Sequence, residues 1–152
     1  MMNATDDPVP EPEAWAMRLR AFLRDCIASE PGEEAERVRE GAALLRLYGS
    51  TCTDEDRAHA GLVNAMLAHG AAESAVLRII GADAAFMLSR GQGDTCLATI
   101  VVPCESGEVE EILVEAATLA LALLAAHIAG VIARIEGGGP ALPLSRPVPV
   151  RH

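Results

Sequence analysis

The sequence predicts an α+β domain: N-terminal helices, a small three-stranded antiparallel meander and one long C-terminal apolar helix, with a mainly α chain as the alternative. Three observations carry this. Apolar residues recur at helical spacing in three segments before Gly70, short apolar runs separated by glycine-containing turns follow as far as Pro103, and the chain from Ile112 to Ile135 is almost wholly apolar. A length of 152 residues suits a single domain, placed at residues 12–136. An acidic, Pro-rich leader of residues 1–11 is expected to be disordered, and a Gly/Pro-rich tail of residues 137–152 to be extended.

Pro12 stands where the first helical turn tolerates proline, and Trp15, Leu19, Phe22, Cys26 and Ile27 follow at helical spacing. The first helix should therefore run to about Ser29 and stop at Pro31-Gly32. Glu33, Glu34 and Glu36 place acids at the positive end of a second helix, which carries Val38, Ala42, Leu45 and Tyr48 on one face and ends at Gly49. Thr53, followed by Asp54, Glu55 and Asp56, caps a third helix reaching His69, with Ala58, Leu62, Ala65 and Met66 as its expected buried stripe.

The meander is assigned to the runs 74–80, 83–89 and 94–102, the last alternating Cys96, Ala98, Ile100 and Val102 on one face. Ala72, Ala75, Val76 and Ile79 also fit a helical period, so the first run is open to either state. Arg90-Gly91-Gln92-Gly93-Asp94 reads as a hairpin turn in which glycine supplies positive φ. Ser106 is then the expected cap of a helix from Gly107 to Glu136, ended by Gly137, Gly138 and Gly139.

Composition narrows the chemistry. All 12 basic residues are Arg, so lysine Schiff bases, pyridoxal phosphate anchorage and a Walker-type phosphate lysine are excluded for this chain. A net charge of -10 argues against nucleic acid or anionic lipid as a main partner. The start lacks a basic and apolar signal, and Cys26, Cys52, Cys96 and Cys104 are widely spaced within apolar patterns, which together point to reduced thiols in a cytoplasmic protein. Aromatics make up only 3% of residues, so a core of Ala, Leu, Val and Ile must rely on close helix packing or on oligomerisation.

The candidate reactive groups are few. Cys104 precedes the expected N-terminus of the long helix, which lowers a thiol pKa, yet Glu105 and Glu108 oppose this and Glu110 stands where a phosphatase-type loop needs Arg. His59 with Glu55 and Asp56 is the minimal general-base pair, while His69 projects away from it. Metal-ligand spacings are missing, and no cofactor or metal is expected. His127 is the one strongly polar group in the apolar helix and is read as pH-sensitive or ligand-contacting, or else as a bonded structural histidine.

Small residues recur every four positions at Thr118, Ala122, Ala126 and Gly130, a row that lets another helix approach closely. This row is the expected interface of a homo-oligomer. The 18 uncharged residues from Ala116 to Ala133 also satisfy the lower length limit of a membrane span, a reading disfavoured by the cost of Glu115 and His127 in lipid. Leu142, Leu144 and Arg146, among the prolines of the tail, are expected to dock a protein partner.

The expected function is that of a small, non-catalytic adaptor or regulatory subunit, self-associating through its long Ala-rich helix. The order of helices, meander and long helix resembles part of a GAF-type sensory domain, whose sheet has five or six strands where three are legible here. That likeness implies a small ligand between meander and long helix, contacted by His127 and Arg78. A single-pass membrane protein is the further alternative.

Overall fold

In the computed structural model the described residues are 11–48, 54–82, 84–103 and 107–137. Helix α1 (Pro12–Ala28) has proline in its first turn and buries Trp15, Leu19, Phe22 and Cys26 along one stripe. Ile27, one position beyond that stripe, is exposed. The chain leaves α1 at an extended Ser29, makes a 3-10 turn at Pro31–Glu33, and enters α2 (Glu34–Tyr48). Glu30 and Glu33 form a reciprocal capping box over the turn. Arg37 ties the corner together: Nε donates to Ser29 Oγ at 2.9 Å, Nη1 to Glu40 Oε1 at 2.9 Å and Nη2 to Glu33 Oε2 at 3.1 Å.

Helix α3 (Asp54–Ala68) buries Val63 and Leu67 with Met66 half-buried, whereas Ala58, Leu62 and Ala65 of the expected stripe are exposed. Alanine-rich helices carry little amphipathic contrast, so the apolar residues alone do not set the phase. The ambiguous run after Gly70 is a helix, α4 (Ala72–Ile80), burying Ala72, Ala75, Val76 and Ile80, and so is not a strand of the meander.

The three strands are β1 (Phe86–Arg90), β2 (Cys96–Pro103) and β3 (Val109–Ala116), antiparallel in the order β1-β2-β3. The β1–β2 connection is the expected hairpin turn: Gly93 has φ +78°, and the Gly91 N–H donates to Thr95 O at 2.9 Å. β3 corrects the sequence reading, which extended the long helix back to Gly107. Val109, Ile112, Leu113 and Ala116 fit the i, i+3, i+4, i+7 pattern of a helix. Pairing with β2 from Pro103↔Val109 to Cys96↔Ala116 overrides that pattern, because it satisfies backbone donors and acceptors along the whole of β2.

The apolar helix is therefore shorter, α5 (Leu119–Glu136), and it is the hub of the core. Its true cap is Thr118, whose Oγ1 accepts from the Leu121 N–H at 3.1 Å. α5 packs against the inner face of the sheet and is covered elsewhere by α1, α2 and α4. Its buried residues run continuously from Ala120 to Ile128.

Gly41 of α2 is the tightest point in this packing. A Cβ there would lie 3.1 Å from Leu124 Cδ1 and 3.1 Å from the Phe22 ring, both buried side chains. Gly61 of α3 faces open space within 4 Å. Gly61→Ala should thus stabilise by about 0.5–1 kcal/mol through helix propensity. Gly41→Ala should lose that gain to overpacking and leave the protein no more stable than wild type. Urea denaturation of the two variants checks the contrast; equal stabilisation by both would show that Phe22 and Leu124 have room to move.

Candidate protein-interaction surface

His59 Nε2 donates to the backbone oxygen of Arg78 at 3.0 Å, and His69 Nδ1 to Ala65 O at 2.9 Å. Arg78 itself is exposed on α4, while His127 is buried in α5, 7% exposed. Burial, assisted by the positive charge of Arg134, pushes the His127 pKa down to about 4, so the imidazole is neutral around pH 7.

Cys104, with Leu142, Leu144 and Arg146 of the tail, lies outside the described residues. The helix whose N-terminus was to activate Cys104 begins only at Leu119, after β3. Cys26 and Cys96 are free and buried, and burial pushes the Cys26 thiol up to about 12, the reverse of an activated thiolate. Among the described residues no group of three or more His, Cys, Asp or Glu is placed to hold a metal.

The small-residue row also lies elsewhere than expected. Ala122 and Ala126 are fully buried in the chain's own fold, and at Gly130 a Cβ would lie 3.3 Å from Val102 Cγ2 and 3.7 Å from Ile100 Cγ2 of β2. Thr118, the fourth member, is occupied as the helix cap. At Gly130 the row serves close approach of helix to sheet, and Ala122 and Ala126 are covered by the chain's own fold.

The helix α5, 18 residues from Leu119 to Glu136, is long and apolar enough to cross a membrane by length and composition alone. Two thirds of the helix, 67%, is buried inside the protein.

What the fold leaves open is the other face of the sheet. Residues of β2 alternate strictly, with Cys96, Ala98, Ile100 and Val102 buried and Leu97, Thr99, Val101 and Pro103 outward and half-buried. The register carries this outward face across the sheet. Met87, Thr99 and Leu113 form one row, Ser89, Leu97 and Glu115 the next, and Val101 pairs with Glu111, Pro103 with Val109. Met87 is 72% exposed, Leu113 63% and Val109 49%, so the largest exposed apolar side chains of the strands lie on this face. Among the described strand residues its only charges, Glu111 and Glu115, are both on β3.

Sequence reasoning missed Met87 and Leu113. The signal for the first was present, since Phe86, Met87 and Leu88 are an unbroken apolar run, which on a strand puts apolar side chains on both faces. Leu113 was hidden by the helical reading of its segment.

An open cleft of about 340 Å³ between α1 and α5 is lined by Arg20, Leu23, Arg24, Ala129 and Ile132, with Arg20 ion-paired to Glu136. It contains neither His127 nor Arg78, the residues expected to contact a ligand. No family model, curated protein or solved structure matches this chain. The likeness to a GAF-type domain accordingly remains one of element order.

Proposed function

We propose that the chain is a non-catalytic adaptor or regulatory subunit that self-associates, and that it does so through the open face of its sheet and not through α5. The observation that carries this is the exposure of Met87 and Leu113 on either side of Thr99, within a face whose remaining central residues, Leu97 and Val101, are also apolar. A largely apolar sheet face bordered on one strand by acids is what an interface presents, and a symmetric homo-oligomer is the commonest way to cover one. The buried free thiols Cys26 and Cys96 support a reducing, cytoplasmic setting. In this reading the tail, with Leu142, Leu144 and Arg146, is left for a different protein partner.

Light scattering across a range of protein concentrations tests the proposal. The expected mass is a multiple of the 15.9 kDa chain, and the number of chains is unchanged on deletion of residues 140–152. A single-chain mass at every concentration overturns it.

A further inference from the structure

We infer that the open cleft between α1 and α5 binds a small amphipathic anion of the aliphatic carboxylate class, with its head on Arg24 and its chain along Leu23, Ala129 and Ile132. The cleft's volume of about 340 Å³ falls at the lower end of small-molecule sites, ~300–1,000 Å³, which suits a single short chain.

Two features select the chemistry. The floor is aliphatic: Ile132 is buried, and Leu23 and Ala129 are half-buried against the core. These side chains present hydrocarbon surface that a ligand chain takes out of water. The second feature is charge. Among the described residues, the ionisable groups lining the cleft are Arg20 and Arg24, in a chain that carries 22 acids against 12 Arg. A cleft lined only by cations concentrates an anion where the rest of an acidic surface repels it.

The two arginines differ in what they already hold. Arg20 reaches across to α5 and pairs with the Glu136 carboxylate, so the rim contains one guanidinium–carboxylate contact. Arg24, about one helical turn along α1, has no ion pair or hydrogen bond among the described residues. A planar guanidinium binds a carboxylate through two parallel hydrogen bonds, and beside hydrocarbon walls the attraction is screened less than in open water. A ligand carboxylate on Arg24 repeats the Arg20–Glu136 contact one turn away and lays its chain over the aliphatic floor. A neutral ligand of the same length lacks the first contact, and acetate lacks the second.

The probe is octanoate, with n-octanol as its neutral counterpart, both below the concentrations at which they aggregate. Isothermal titration calorimetry reads the dissociation constants. Wild type should bind octanoate saturably, with a dissociation constant below about 1 mM and about tenfold tighter than octanol, the share of one charge-assisted contact. Arg24→Gln changes an exposed side chain, so the fold is kept. It should weaken octanoate about tenfold and leave octanol unchanged, which erases the difference between them. Ala129→Leu puts a larger side chain into the cleft and should abolish binding of both, with circular dichroism checking that the helices remain.

These results together support the inference. Absence of saturable octanoate binding to wild type overturns the site. Undiminished binding to folded Ala129→Leu places the ligand elsewhere and overturns the location. A preference for octanoate that survives Arg24→Gln, or that wild type lacks, overturns the contact assigned to the head group. If Ala129→Leu unfolds, Arg24→Gln alone decides.

Discussion

Stability should fall by about 3 kcal/mol between pH 6.5 and pH 4 on account of His127 alone, and His127→Gln should abolish that part of the fall. In the folded protein burial, with Arg134 adding to it, lowers the imidazole pKa to about 4 from the ordinary value of 6.5. Above pH 6.5 the side chain is neutral in both states and the difference costs nothing. As pH drops below 6.5 the unfolded chain takes up a proton that the folded chain refuses, so the native state loses ground. Below about pH 4 both states are protonated and the loss levels off.

Carboxylates contribute their own pH dependence, which makes the comparison of wild type with variant the informative quantity. Urea titrations at pH 7 and near pH 4.5 supply it. Gln keeps a donor and an acceptor for whatever His127 bonds, so its cost at pH 7 should be smaller than that of Leu. Parallel pH profiles of wild type and the Gln variant would mean that His127 is protonated as easily in the fold as out of it.

Ala126→Leu should lower stability by roughly 1–3 kcal/mol or more, a drop of about 2–4 °C in melting temperature for each kcal/mol, while leaving the oligomer mass unchanged. Ala126 is fully buried, and one turn later Gly130 already lies against Val102 and Ile100. Extra methylenes at Ala126 must displace buried neighbours. Differential scanning calorimetry and light scattering separate the two possible roles of the row. A variant that melts like wild type yet loses mass in solution would place the Ala122–Ala126–Gly130 row between chains instead of within one.

The local signals in this sequence determined a good deal by themselves. Pro12 with the Trp15–Leu19–Phe22–Cys26 stripe defined α1, the glycine-containing turn at Gly91 and Gly93 defined the hairpin, and alternation placed Cys96, Ala98, Ile100 and Val102 on one face of β2. The length and uniformity of the apolar stretch required that it be covered on most sides, and α5 is. These features are decided by neighbours a few residues apart, through backbone geometry, capping and side-chain period.

Tertiary structure alone decided the rest. Residues 109–116 have the spacing of a helix and become β3, because β2 needs a hydrogen-bonded neighbour and no property of the segment in isolation records that need. The same decision moved the cap of α5 to Thr118 and set Gly130 against the chain's own sheet. It also created the outward face on which Leu113 stands beside Met87, a surface formed by three strands whose members are 26 residues apart in sequence, from 87 to 113. Which face of a sheet is covered depends on how much helix there is to cover it, and here α5 and its companions cover one face and leave the other open.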